Sequence, residues 1–290
     1  MKRLLLLLAS VTVTLAVAAS GSNRAQSATA PCGTKAVTVY THVVVIVMEN
    51  HGYDAIIGRP AAPYINSLAK QCGLATDYFA ITHPSLPNYL AMTAGTTAGV
   101  TDDKLPSAHP LSNLSIFSQE GSSWRSYEES MPSNCYLKNS SDGLYVAHHN
   151  PAAYYTNIRT ACQSQDVPLP STPSFSSAYT TVEPNMCHTM SSCSVTAGDG
   201  WLKAFVPKVL ASPEYKNGNL VLFLTWDEGG GRTGSNRVPL IVVGPTVPAG
   251  LPVSTNLTHY GLLLTVEQLL GKTCLANACS ATSLLSAFHL

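Results

Sequence analysis

Residues 43–50 read VVVIVMEN: five β-branched residues and a methionine, then an acid and an amide. A run this short and this apolar, without alternation, fits a strand buried on both faces, which requires helices on either side of a sheet. Two further runs have the same character, Leu220 to Trp226 (LVLFLTW) and Val238 to Val243. Helical patterns fall between and after them, at Ala62 to Gln71, Pro87 to Thr93, Gly200 to Leu210 and Tyr260 to Leu270. In the last, Leu263, Val266, Leu269 and Leu270 keep helical spacing and Gly271 supplies the stop. The alternation predicts an α/β fold with a mostly parallel, layered sheet. The middle third, Asp102 to Thr196, is richer in Ser, Thr, Pro and Asn and reads as long loops and short elements capping that sheet. Within it, Pro168 to Ser177 (PLPSTPSFSS) reads as a loop.

At the N-terminus Lys2 and Arg3 precede an apolar run from Leu4 to about Ala19, followed by a small polar stretch ending at Ala30. This is the pattern of a signal peptide, so residues 1–30 are expected to be removed and the protein secreted. No later stretch offers eighteen uninterrupted apolar residues, so no transmembrane segment is expected. Residues 31–290 form a single domain on grounds of length, and a monomer is expected. Lys+Arg and Asp+Glu number 16 each, so no basic field exists to attract nucleic acid, and any anion must be gripped locally. Eight cysteines in an exported chain predict disulfides, with Cys187 and Cys193, and Cys274 and Cys279, each able to close a short loop.

In open α/β sheets ligands bind beyond the carboxyl ends of the strands. Two of the three runs end in polar pairs there: Glu49-Asn50, and Asp227-Glu228 ahead of three glycines. Acids crowded to that density repel one another unless a cation joins them, and carboxylate and amide oxygens suit a divalent ion such as zinc, calcium, manganese or magnesium. The segment Thr82-His83-Pro84-Ser85-Leu86-Pro87-Asn88-Tyr89 places Ser85 between two prolines, ahead of a helix whose N-terminal N–H groups attract phosphate. Alone, Ser85 reads as a helix cap. His83, His148, His149 and His259 alter that balance, since histidine both orients phosphoryl oxygens and protonates a leaving oxygen near neutral pH. Other nucleophile templates fail: no G-x-S-x-G or H-E-x-x-H occurs, and Gly271-Lys272-Thr273 lacks the earlier P-loop glycine.

Seven blocks in one order carry a resemblance: Val44 to Asn50, Ala62 to Leu68, Thr82 to Gly95, His148 to Pro151, Gly198 to Leu202, Leu224 to Gly229 and Ser254 to Gly271. They resemble the bacterial phosphoesterase family of secreted acid phosphatases, phosphatidylinositol 3-phosphatases and phospholipases C, within the alkaline-phosphatase-like superfamily. The resemblance implies a three-layer sandwich, with one divalent metal ion held by Glu49, Asn50, Asp227 and Glu228. It also implies that Ser85 is metal-ligated and phosphorylated in turnover. The Ser-Leu-Pro-Asn stretch is similar to the nucleophile segment of nucleotide pyrophosphatases, which gives Asn88 a phosphate-supporting role. His83 and His148 join it as substrate-binding candidates, while His149 or His259 protonates the leaving oxygen or orients the phosphate. The expected activity is hydrolysis of phosphomonoesters, including phosphoinositides, with a phospholipase C-type diesterase as the alternative. One block departs: where the family commonly carries Asn-Asp-Met-His-Asp, this chain has His188-Thr189-Met190-Ser191-Ser192. The loss of an acid and a histidine there leaves a third reading open, a catalytically impaired secreted protein that binds phosphate or metal.

Overall fold

The run at 43–48 becomes β1 (His42–Met48), buried along its length and set near the middle of an eight-stranded sheet. This computed structural model describes residues 30–36, 38–231 and 235–290, so the expected signal segment lies outside the described residues apart from Ala30. The other strands are β2 (Gly73–Ala75), β3 (Tyr78–Phe79), β4 (Trp124–Glu128), β5 (Asp166–Pro168), β6 (Tyr179–Glu183), β7 (Leu220–Trp226), β8 (Leu240–Val243), β9 (Pro252–Val253) and β10 (Leu257–Thr258). The sheet order is β5-β4-β6-β1-β7-β8-β2-β9, and β3 pairs with β10 separately. Strands β5, β4, β6, β1 and β7 run parallel, whereas β8 is antiparallel to both β7 and β2.

The helices are α1 (Tyr53–Ile56), α2 (Pro63–Gln71), α3 (Ser85–Ala94), α4 (Ile116–Glu120), α5 (Arg159–Gln165), α6 (Val195–Leu210), α7 (Pro213–Asn217), α8 (His259–Leu269) and α9 (Leu285–Phe288). Two packed pairs, α2 with α6 and α3 with α8, flank the sheet. The first pair is tied by Asp199 of α6, whose carboxylate accepts the free N–H groups of Tyr64 and Ile65 in the first turn of α2. This is an α/β sandwich with a mostly parallel central sheet.

Three expectations need correction. The stretch from Asp102 to Thr196 is more than capping loops, because it supplies β4, β5 and β6, three of the five adjacent parallel strands from β5 to β7. Pro168 ends β5 rather than opening a loop, and the loop proper follows it. The third apolar run forms strand only from Leu240, and that strand is reversed. Four disulfides are present: Cys32–Cys72, Cys135–Cys162, Cys187–Cys193 and Cys274–Cys279. Such bonds persist in oxidising compartments. Among the described residues no helix is long and apolar enough to cross a membrane.

Candidate active site

Helix α3 begins at Ser85 itself, with Pro84 at the N-cap, two residues before the expected start. The turn ahead of it is built around Asn88. Its Oδ1 accepts the N–H groups of Ile81 (2.9 Å) and Thr82 (3.1 Å), and its Nδ2 donates to the carbonyls of Thr82 (2.9 Å) and Pro84 (3.2 Å). A fully buried amide thus satisfies backbone groups that would otherwise be orphaned and fixes the approach to Ser85. The N–H of Leu86, free at the helix start, is taken by Asp103 Oδ1 at 2.9 Å.

Strands β1 and β7 are in register with Met48 opposite Trp226, so the residues that follow, Glu49 and Asp227, emerge side by side. Glu49 is fully buried and its carboxylate is shared out completely. Oε2 accepts the Ser85 hydroxyl at 3.1 Å and Asn50 Nδ2 at 3.0 Å. Oε1 accepts the Tyr89 hydroxyl at 2.6 Å and lies 3.2 Å from His149 Nε2. Asn50 turns the chain with φ of 57°, a left-handed conformation that asparagine tolerates better than most residues, and its N–H donates to Asp227 Oδ1 at 3.0 Å. Gly230 must be glycine here, since a Cβ would stand 2.8 Å from the Asn50 carbonyl oxygen. Glu228 follows Asp227, with Oε2 3.1 Å from His83 Nδ1 and 3.4 Å from Asn88 Nδ2.

Burial dominates the electrostatics. It pushes the Glu49 carboxyl up to about 8, against the hydrogen bonds from Tyr89 and Ser85, with Glu228 nearby adding to the rise. Asp227 is driven well above the usual carboxylate range by burial and by the charges of Glu49 and Glu228. Among the described residues no lysine or arginine pairs with Glu49 or Asp227. Asp227 Oδ2, fully buried, has no partner at hydrogen-bond geometry, although the Ser85 hydroxyl is near enough to lower that carboxyl's proton affinity. An orphaned carboxylate oxygen beside a second acid, a serine hydroxyl and an amide is a donor set whose chemistry fits a divalent cation. Glu49 and Asp227 lie close enough that the proton affinity of each carboxyl responds to the other.

Burial favours the neutral form of His148, His149 and His259. Burial pushes His148 and His149 down to about 3, His149 also depressing His148, while Asp103 opposes the fall in both. His149 stacks on Tyr89 with ring centroids 5.6 Å apart, and His148 meets it edge-on at 4.5 Å. His259, pushed down to about 4 by burial, has both nitrogens engaged. Nε2 lies 2.6 Å from the Asp227 carbonyl, so it carries the proton and donates, which leaves Nδ1 to accept from the Tyr78 hydroxyl at 2.7 Å.

Residues 58–271 match the Phosphoesterase family. The chain is 34% identical over 240 residues to a phosphatidylinositol-3-phosphatase of Mycobacterium tuberculosis, covering 81% of this chain and 79% of that protein. The chain belongs to the phosphoesterase family. It is a phosphoric ester hydrolase by that membership. A phosphate-repressible acid phosphatase of Penicillium chrysogenum is 30% identical over 251 residues, 79% of this chain but 58% of the fungal protein. In fold it is similar to an alkaline phosphatase superfamily protein from Vibrio parahaemolyticus (TM-score 0.57, 11% identity, 83% of this chain and 70% of that one). It is likewise similar to a phosphonate monoester hydrolase of Agrobacterium radiobacter (TM-score 0.55, 13% identity, 86% and 77%).

In this phosphoesterase the structure brings Ser85, Glu49, Asn50, Asp227 and His149 around one point, with His83 and Glu228 beside them and His148 behind His149. Asn88 and His259 stand at the site with their polar atoms turned into the protein. Sequence reading missed Tyr89 and Asp103. Tyr89 had a signal, since it follows Ser85 by one helical turn and so shares its face. Asp103 had none, because a loop closes on the helix start from seventeen residues away. The loop that departs from the family pattern lies against the same point. The Thr189 carbonyl accepts the Glu49 N–H at 3.0 Å, and Ser191 Oγ accepts from Asn50 Nδ2 at 3.3 Å. His188 points elsewhere, pairing with Glu129 at 2.7 Å.

Proposed function

We propose that this protein is a secreted, metal-dependent phosphomonoesterase that works through a phosphoserine at Ser85. The observation that carries the reading is the single contact of Ser85 Oγ with Glu49 Oε2, on a buried carboxylate whose other oxygen is already held by Tyr89. A divalent cation held by Glu49, Asn50, Ser85 and Asp227 would lower the pKa of the serine hydroxyl and offset charge on the transferring group.

The chain's own residues do the rest. Asn88 and the two flanking prolines hold Ser85 at the start of α3, where Oγ is presented rather than searched for. The Ser85 oxygen bonds to phosphorus, its proton passing to Glu49, and the ester oxygen departs. His83 gives that oxygen its proton, because its Nδ1 is backed by Glu228 and its side chain is partly exposed. His149, with Nε2 3.2 Å from Glu49 Oε1, helps to hold that carboxylate, and His148 packs against its ring. Water then attacks phosphorus while giving a proton to His83, the bond between the Ser85 oxygen and phosphorus breaks, Ser85 takes its proton back from Glu49 and phosphate leaves. Glu228 serves this scheme as the support of His83 and Asn88. His259 holds the Asp227 carbonyl, and with it the strand end, in place. The leader-like N-terminus and the four disulfides support the secreted reading.

The test is acid-quenched turnover of p-nitrophenyl phosphate by metal-stripped and re-metallated protein. A phosphoprotein that forms in the wild type and is absent in Ser85→Ala supports the scheme. Near-native hydrolysis by Ser85→Ala sinks it.

A further inference from the structure

Helix α3 carries Ser85 in its first turn, yet it has no side-chain cap of its own. A cap side chain ordinarily accepts the N–H of the second or third helical residue. The third residue here is Pro87, which has no N–H, so Leu86 is the donor to be satisfied. Pro84, in the cap position, has no acceptor on its side chain. Serine is a preferred cap, but Ser85 stands one place too late, and its hydroxyl donates to Glu49.

The acceptor comes from elsewhere in the chain. Asp103 Oδ1 takes the Leu86 N–H at 2.9 Å. A carboxylate suits that place, since the first turn of a helix favours negative charge. The loop that brings it is fastened on both sides of Asp103. Asp102 holds Lys104 Nζ at 2.7 Å and lies 2.5 Å from His109 Nε2, and the Lys104 carbonyl accepts the Tyr154 hydroxyl at 2.8 Å. Tyr154 is itself part of the core, so the loop is not free to drift from the helix.

We propose that Asp103 is a positioning residue for the phosphoryl transfer: it caps α3 from outside the helix, leaves the Ser85 hydroxyl to Glu49 and fixes where that hydroxyl points. The proposal rests on the reading of Ser85 as the nucleophile. Asp103 acts through the Leu86 N–H, the next amide along the chain, and needs no contact with the reacting atoms. What the role requires is an accepting oxygen at that place; the charge is secondary.

Two variants separate these properties, because Asp103→Asn keeps the oxygen and loses the charge whereas Asp103→Ala loses both. The measurement is the single-turnover rate of phosphoprotein formation from p-nitrophenyl phosphate, together with KM, at a temperature where each variant is folded by circular dichroism. Asp103→Ala is expected to slow that rate about tenfold or more with KM within about twofold of wild type, and Asp103→Asn to restore it to within about threefold. Amide hydrogen exchange at Leu86 should quicken in Asp103→Ala and stay slow in Asp103→Asn. An unaltered rate in Asp103→Ala, or an equal loss in both variants, overturns the proposal. Where Asp103→Ala does not fold, Asp103→Asn is read by itself: a rate within about threefold of wild type and a protected Leu86 amide uphold the role, and a greater loss overturns it. The two readings fail separately. Near-native hydrolysis by Ser85→Ala removes the nucleophile and the role of Asp103 with it, whereas an inactive Ser85→Ala beside an unaltered Asp103→Ala removes the role of Asp103 alone.

Discussion

Ser85 Oγ and Glu49 Oε2 stand 3.1 Å apart across the gap between the start of α3 and the end of β1. The carboxylate cannot rotate away, because Tyr89 and Asn50 hold its two oxygens. Both members are thus needed for turnover, and for different reasons. Ser85→Ala is expected to lower kcat for p-nitrophenyl phosphate by about a thousandfold or more. Glu49→Gln should lose cation affinity as well as rate. Calorimetric titration of each variant with a divalent cation separates them, and a Glu49→Gln protein that binds the ion as tightly as the wild type contradicts the ligand role.

His83 and Glu228 make the second testable pair, at 3.1 Å. A proton donor matters in proportion to how badly the leaving oxygen needs a proton. His83→Asn is expected to slow hydrolysis of an alkyl phosphate about a hundredfold or more, and p-nitrophenyl phosphate by far less. Equal loss on both substrates is the outcome that removes His83 from that role.

The parts of this protein that were legible in sequence are those where one physical demand governs the residues. β1 and β7 are buried on both faces, so their composition gave them away and the acids at their ends with them. β4 and β6 were hidden for the opposite reason. Their inward faces carry Ser126, Glu128, Thr181 and Glu183, all buried. Ser126 bonds Glu128 and Thr181 at 2.8 Å each, so these polar groups partly satisfy one another inside the fold. Hydrophobic periodicity is blind to a strand whose core face is polar. Asn88 and His259 illustrate a second limit: residue type and motif position placed them at the site, but only the coordinates give the direction in which their polar atoms point.

Asn50 has two duties that substitution can separate. Its φ of 57° favours residues that tolerate the left-handed region, and its side chain bonds Glu49 and Ser191. Asn50→Gly preserves the backbone and removes the side chain, so it should fold normally yet bind a divalent cation more weakly. Asn50→Val adds backbone strain of about 1–3 kcal/mol and should lower the unfolding midpoint as well. Equal midpoints for the two variants argue against strain at this turn.

The last prediction concerns pH, and it draws on acids both at the site and behind it. Burial raises Glu49 to about 8 and Asp166 to about 7, and drives Glu128 and Glu183 well above the usual carboxylate range, with mutual repulsion adding to the rise in the last two. An unfolded chain releases these protons near pH 4, whereas the folded, cation-free protein retains them at higher pH. Over that window the native state binds more protons than the unfolded state, so stability is fully present at low pH and falls as pH rises. The slope is about 1.4 kcal/mol per pH unit for each retained proton. The unfolding midpoint of chelator-treated protein should therefore decline between about pH 5 and pH 8. Adding a divalent cation near pH 8 should recover part of the loss by engaging Glu49 and Asp227, with protons released on binding. Asp166 lies apart from that site, bonded to Asn150 at 2.9 Å, so Asp166→Asn should flatten the slope whether or not the cation is present. Calorimetry across this range decides the matter, and a midpoint that climbs with pH in the cation-free protein would show that these carboxyls are ionised in the folded state.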